Sequence, residues 1–578
     1  MPILAAHPTA NSAHGRFRTL PWHDSHPAKL DLEQRLAPDH LARTLDQAVD
    51  HLDLSALWAR YGGTGSEAHP PERLLRVVLY EMRRGQHTPA AWHRDARECE
   101  PVRWLLRGGV VSRSCWYAFR DRLGPLLLDL NQQVLVQALD AGITTARRGA
   151  EDGTLVAANA SRHKLVNQAT LQKRAELVAA AVAADQQPVV AAAGAGVAAA
   201  AAPAVDARAP AAAAEAGTTA GAGAAAVVGP EPARPTVGSV ALPAPLPAAA
   251  VTAAATAATP APPRWLASSA AGRQQQQQRL ERAQQRMEEL QGHNQRKWPS
   301  KRRATDTIVL SLGDAEAVVG RDKEKVYRPL YNVQIVDDLD SPLILGYGVL
   351  AQQNDTGVLG TLLAQVRRQV GHGLEVMLAD TAYAGGADLA AAAREGVTLY
   401  APVPGDGVDQ PKQIPKREFT WLAAEQTYVC PQGHRLVFEE SWREKRVDGG
   451  VQVWRYRCPP HHCQGCPLQA RCTTTPASGR AVTRQEHEEL IEALRARMGT
   501  AAAKALYRLR GQNVELVNAD WKQHRKLRRF SGRGLARVGC EVGLMVLAHN
   551  LITVLAEQKK IQAKQATGAA VNPGPNST

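Results

Sequence analysis

Three acidic residues set far apart along the chain stand where carboxylate chemistry would need them: Asp152 in EDGTLVAANAS, Asp380 in VMLADTAYAGG and Glu515 in LYRLRGQNVELVNADWK. The first two adjoin apolar runs and the third sits in a basic helical stretch, so together they could hold divalent metal ions. Mg²⁺ and Mn²⁺ prefer oxygen ligands, and two ions about 4 Å apart clamp both the attacking and the leaving oxygen of a phosphodiester displacement. No histidine base is required, because a metal-bound water or 3′-hydroxyl is already acidified. Each residue alone also has a plainer reading. An Asp beside a strand and near Gly is commonly a turn or a helix cap, and a lone helical Glu is commonly a surface residue.

The surroundings of Glu515 bear on that choice. At about 100° per residue, Lys504, Arg508, Glu515 and Lys522 fall within about 40° of one another on a helix, so one acid lies in a basic stripe. Just beyond, KQHRKLRRFSGRG packs Lys522, Arg525, Lys526, Arg528, Arg529 and Arg533 into a dozen residues, a density suited to phosphate contact. The whole chain has 69 Lys and Arg against 55 Asp and Glu, a formal charge of +14, which favours a polyanionic partner through counterion release. Five of the eight cysteines fall between Cys430 and Cys472, a local knuckle rather than a disulfide scaffold. Cys463-x-x-Cys466 has zinc spacing, with Cys430 and Cys472 completing a tetrahedral set, Cys458 as alternate ligand and His434, His461 and His462 as further candidates. The alternative is a reduced cysteine-rich loop without metal.

The elements that must position these residues divide the chain. Residues 1–34 lack apolar periodicity and read as a flexible arm; 35–147 read as an all-helical domain, with Thr88 and Pro89 as N-cap and first residue of one helix. Its segment with Arg113, Trp116, Arg120 and Arg122 is either a recognition helix for the major groove or a bundle helix with a basic face. LVAANAS after Asp-Gly suits a strand following a turn. Residues 179–272 collapse to Ala, Pro, Val and Gly and read as a disordered insertion. A helical segment, 273–300, follows, with a thin seam of Leu280, Met287 and Leu290 that suits a solvated helix or, as the alternative, a short coiled coil. TIVLSL, YNVQIVDD and LILGYGVLAQQ read as an antiparallel meander, then a helix, the strand LEVMLAD ending at Asp380, a helix and the strand LYAPV. That mixed α/β sheet places Asp380 where open sheets assemble their sites. The most apolar helix candidate, Gly543 to Leu555, is too short to span a bilayer and holds His549 and Asn550. With no basic start and apolar core at the N-terminus, the expectation is a soluble, cytoplasmic protein without membrane association.

DGTLVAANAS, YNVQIVDD with QQNDTG downstream, LADTAYAGGADL, and YRLRGQNVE followed by six residues and Lys522 together resemble the DDE transposases of bacterial insertion sequences. The match is to the branch whose third acid lies in a Tyr, Arg, Glu, Lys signature, with an N-terminal helical domain and a C-terminal stretch like RRFSGRGLARVGCEVGLMVLAHNL. It covers roughly 35–175 and 300–558. The resemblance implies a ribonuclease-H-like mixed-sheet core with an N-terminal all-helical domain and a cysteine-rich insertion, and a catalytic, Mg²⁺-binding triad of Asp152, Asp380 and Glu515. Tyr507, Arg510 and Lys522 would accompany the triad, and Arg508, Arg525, Lys526, Arg528 and Arg529 would join them against DNA. Four residues separate Arg510 from Glu515 where the family signature has three.

On that resemblance the core comprises 148–178, 301–418 and 481–558, interrupted by a cysteine-rich, zinc-binding insertion at 419–480 and followed by a disordered tail at 559–578. The implied activity is transposition. The protein would bind terminal inverted repeats, hydrolyse phosphodiesters at the element ends and transfer 3′-hydroxyl ends into target DNA, as a homodimer on double-stranded DNA, nucleoid-associated when bound. The alternatives are an inactive, transposase-derived DNA-binding protein and a metal-dependent nuclease without strand transfer.

Overall fold

The computed structural model describes residues 16–62, 65–186, 262–297, 299–404, 413–444 and 450–570. Most of the alanine-rich insertion, 187–261, therefore lies outside the described residues, as do 1–15 and 571–578.

Helices dominate up to Asp140, and local chemistry explains their ends. Thr88 accepts from Ala91 N at 3.0 Å with Pro89 at the first helical position, and Ser112 caps the helix Arg113–Leu123 at Cys115 N. Leu45, Leu74, Leu75, Trp92, Trp116 and Phe119 are fully buried. In helix Pro71–Arg83 the buried Arg76 is paired with Asp46 at 2.8 Å, and Arg73 pairs with the same carboxylate at 2.9 Å. The expected arm is partly structured: Arg18 N donates to Ala68 O, and Pro27–Arg35 is a helix capped by His26, with Leu32 buried.

The central sheet contains β1 (Arg148–Ala157), β2 (Val318–Arg321), β3 (Tyr327–Asp338), β4 (Ile344–Leu350), β5 (Val376–Leu378) and β6 (Thr398–Tyr400). Their order is β2-β3-β1-β5-β6, with β4 also pairing β3. β3 runs antiparallel to β1, β2 and β4, whereas β1, β5 and β6 are parallel. Parallel neighbours need crossovers. The helices α1 (Leu359–Val370) and α2 (Gly386–Arg394) lie in the connections before β5 and before β6. Gly371 ends α1 at φ +80°, a conformation that favours glycine.

Several expectations are corrected here. TIVLSL does not enter the main sheet; its Leu310–Ser311 pairs only with Leu165–Val166, because Gly313 and Asp314 turn the chain and Asp314 is held by the Tyr331 hydroxyl at 2.8 Å. Asp152-Gly153 is no turn but the middle of β1, where a Cβ on Gly153 would stand 2.6 Å from Gln334 Nε2 and 2.8 Å from Asp355 Oδ1. The segment after the insertion is helical, Ala270–Arg296, yet it is packed rather than solvated, with Leu280, Ala283 and Met287 buried. The described residues 180–186 and 262–273 belong to a separate unit, in which Arg273 pairs with Asp185 at 2.5 Å.

The short apolar helix is part of α4 (Leu535–Ala570), which also replaces most of the expected tail. It is long and apolar enough to cross a membrane, but 72% of its most apolar window is buried inside the fold, as in a core helix. Asn550 shows why it belongs there. Its amide accepts from Ile344 N at 2.9 Å and donates to Ile344 O at 2.8 Å and to Asn131 Oδ1 at 2.9 Å. Asn131 in turn donates to Gln369 at 3.0 Å, so β4, α1, α4 and an N-terminal helix share one polar junction. The N-terminal helices are consequently not an independent domain, since one apolar core runs through them, the sheet and α4.

Residues 413–485 build a second, five-stranded antiparallel sheet: β7 (Thr420–Leu422), β8 (Thr427–Val429), β9 (Arg435–Glu444), β10 (Val451–Arg457) and β11 (Ala481–Gln485), paired in chain order. It has its own small core around Phe419, Tyr428, Leu436 and Tyr456.

Candidate active site

Register brings the first two acids together. Ala150 pairs with Leu378 at the end of the parallel β1–β5 ladder, and Asp152 and Asp380 each lie two residues beyond that pair, close enough that the Asp380 charge acts on Asp152. Asp380 leaves its strand in extended backbone and its Oδ1 accepts from Ala382 N at 2.7 Å. It is thus both a cap and a candidate ligand.

The long helix α3 (Ala501–Gln523) crosses the ends of these strands. Thr500 caps it, and Val514 packs on Ala150 and Leu378 to seat it across the strand ends. Four polar residues on its sheet-facing side reach the site. The Tyr507 hydroxyl donates to Ala379 O at 3.1 Å, and Arg510 donates to Glu151 O and, at 3.0 Å, to Asp152 Oδ1. Asn518 donates to Asp152 Oδ2 at 2.6 Å, and the Lys522 ammonium reaches the Thr154 hydroxyl. Burial raises the Asp152 pKa, opposed by Arg510, Lys323 and the Asn518 hydrogen bond and reinforced by Asp380. Burial, with the neighbouring Lys323, lowers that of Lys522. Tyr507 is raised, again chiefly by burial.

Glu515 does not join this group. It is exposed, about 60° round the helix from Asn518, because Val514 takes the sheet-facing position. Among the described residues no three His, Cys, Asp or Glu side chains are arranged as a metal site. Lys504 and Arg508 are exposed with Glu515, while Lys522, on the same stripe, turns toward β1.

The basic run after the helix splits in two. Arg525 pairs with Asp520 at 3.0 Å, Arg529 donates to the carbonyls of Ala158 and Ala160, and Arg533 donates to Asn159 O at 3.0 Å. Arg529 and Arg533 brace the exit of β1, where Phe530 N donates to Ala157 O at 2.9 Å, whereas Arg525 also donates to Arg83 O. Lys526 and Arg528 are exposed. In the helix Arg113–Leu123, Trp116 is buried against Trp92 with ring centroids 6.0 Å apart, and Arg120 is buried beside Asp121, so neither can read a groove. That favours the bundle-helix reading.

Asn518, Lys323 and Thr154 were not singled out from the sequence. Asn518 is one turn before Lys522, and that helical spacing was a usable signal; Lys323 lies in the β2–β3 hairpin and had none. On the opposite face of β1, Glu151 is buried with both oxygens unpaired beside Tyr383, and Asp355 accepts from Asn332 at 2.5 Å and Gln334 at 2.6 Å. Burial holds Glu151 well above the usual carboxylate range. The folded state therefore keeps a proton that the unfolded chain releases, and this contribution to stability is present at low pH and fades as pH rises through the folded value. Glu151→Gln is expected to flatten the pH dependence of the melting temperature and raise it at mildly basic pH. Melts showing an unchanged slope would contradict this.

Residues 429–555 match the family model described as Transposase DDE domain, and residues 30–122 match the one described as Transposase domain (DUF772). The two matches support a DDE transposase of insertion-sequence type. No curated protein and no solved structure matches it. The two matched stretches include Glu515 and most of the N-terminal helices but neither Asp152 nor Asp380, so the closeness of those two acids rests on the end of the β1–β5 ladder and their electrostatic coupling. Transposases act on DNA, which supports DNA as the partner.

Proposed function

We propose that this DDE transposase binds the terminal inverted repeats of its element, hydrolyses phosphodiesters at the ends and transfers the freed 3′-hydroxyls into target DNA. The observation that carries the reading is the approach of Asp152 and Asp380, each two residues beyond the last β1–β5 pair, beneath a helix bearing Arg510, Asn518 and Lys522. The strand order, three antiparallel members followed by two parallel ones, supports a ribonuclease-H-like core.

Asp152 and Asp380 offer hard oxygens in a part-buried cleft and fit Mg²⁺ or Mn²⁺, with Glu515 as the third candidate ligand. Such ions, when bound, supply charge stabilisation at the phosphate and acidify the attacking oxygen. The protein's own groups set the stage. Arg510 and Asn518 fix both oxygens of Asp152, and the Ala382 amide fixes Asp380. Lys522 and Lys323 place positive charge over β1, where a phosphate backbone would lie. A homodimer would bring two ends together, with the N-terminal helices taking part in end recognition.

The test is incubation of the full chain with Mg²⁺ or Mn²⁺ and DNA carrying the element ends. End-joined products support transposition; cutting without joining would leave a nuclease, and binding without cutting an inactive descendant. Glu515→Gln decides the third ligand, since loss of cleavage assigns it and full activity removes it. Lys526→Ala with Arg528→Ala is expected to weaken binding to all DNA sequences alike and reduce the salt slope by about two, one per phosphate contact. Titrations at several salt concentrations that keep the parent slope would exclude those contacts.

A further inference from the structure

The small antiparallel sheet gathers thiols that the active site does not use. Cys430 follows β8 in the turn CPQGH. Its amide donates to His434 O at 2.9 Å, Gly433 N donates back to Cys430 O at 2.8 Å, and His434 N points at the Cys430 sulfur at 3.4 Å. Gly433 has φ +82°, which lets the backbone fold back over the sulfur. The second loop repeats the arrangement. Arg480 N points at the Cys463 sulfur at 3.4 Å, Gly465 has φ +76°, and Cys458 N donates to Arg480 O at 2.8 Å. Cys458 lies beside Cys463: burial, and then the neighbouring Cys463 thiol, raises the Cys458 pKa.

Neutral thiols are weak acceptors, whereas thiolates are strong ones, so amides aimed at sulfur are best used by charged sulfur. Four cysteines, Cys430, Cys458, Cys463 and Cys472, belong to one apolar core; Cys466 is not part of it. All are free thiols. The core they share has eight buried residues, among them two of the cysteines themselves. Units of fewer than about 70–80 residues rarely stabilise themselves on apolar burial alone and commonly use a metal.

We propose that this sheet is closed by one Zn²⁺ held tetrahedrally by Cys430, Cys458, Cys463 and Cys472, with Cys466 outside the set despite its Cys-x-x-Cys spacing. Four thiolates suit Zn²⁺, and a complete protein shell marks a structural rather than a catalytic metal. No three of these sulfurs yet converge as a finished site, so binding draws the Cys430 turn and the Cys463 loop together. The imidazoles are engaged elsewhere: His434 stacks on His462 at 4.1 Å, and His462 contacts His461 at 3.0 Å. The inference is independent of the phosphodiester chemistry.

The test is metal content by elemental analysis of the full chain purified under reducing conditions with zinc supplied, followed by Co²⁺ replacement. One equivalent of zinc per chain and a Co²⁺ spectrum with four-thiolate charge-transfer intensity are expected. Cys458→Ser and Cys463→Ser should lose the metal, while Cys466→Ser keeps it in full. Folded parent protein without zinc would overturn the proposal, as would loss of zinc in Cys466→Ser together with its retention in Cys458→Ser. Should the serine variants fail to fold, the Co²⁺ spectrum of the parent still counts the thiolates, and an intensity below four overturns the ligand set.

Discussion

Asp152→Asn is expected to abolish cleavage of DNA ends while leaving the fold and DNA affinity unchanged. The substitution keeps shape and hydrogen bonding, because an Asn carbonyl still accepts from Arg510 and the Asn518 amide can turn to match its new partner. What it removes is the negative charge that a divalent ion requires. A loss of about a thousandfold in rate, near 4 kcal/mol of barrier, is the expected scale for removing such a ligand. Asp380→Asn should behave alike, since Asn also serves as a cap for Ala382 N. The readout is cleavage of end-bearing DNA with Mg²⁺, alongside binding measured without metal. Parent-level cutting by either variant would remove that residue from the reaction.

The largest expected effect on stability lies far from the cleft, at Asn550. Truncation to Ala leaves the Ile344 N–H and C=O and the Asn131 carbonyl without the partner that serves them, all in a buried junction. Each unsatisfied buried group costs about 1–3 kcal/mol, so Asn550→Ala should destabilise the protein by roughly 3 kcal/mol after local relaxation. Denaturant unfolding followed by tryptophan fluorescence checks this, and a change under about 0.5 kcal/mol would mean that water replaces the amide.

The pairing of these two effects reflects how differently the chain discloses site and scaffold. Asp380 was legible because LEVMLAD is a short apolar strand with a carboxylate at its end, and strand ends of parallel sheets are where the chain turns out toward solvent. Thr88-Pro89 was legible because capping is chemistry between near neighbours. Glu515 shows the opposite case. The sequence places it on a basic stripe correctly, yet the apolar Val514 next to it decides which face meets the sheet, and that depends on Ala150 and Leu378. Asp-Gly at 152–153 looks like a turn by local propensity, but pairing with Gln334 and Ile335 holds it extended. The apolar helix around Asn550 looked short because polar residues interrupt it, and those residues turned out to be buried and paired.

By itself the sequence determined the elements, the caps, the family resemblance and the residue types able to hold metal or phosphate, since each depends on side chains close together in the chain. Only the tertiary structure decided that Asp152 and Asp380 are neighbours, that Arg510 and Asn518 serve the first of them, and that half the basic run braces a strand. Those outcomes follow from strand register and helix rotation, which are set by packing among residues hundreds of positions apart.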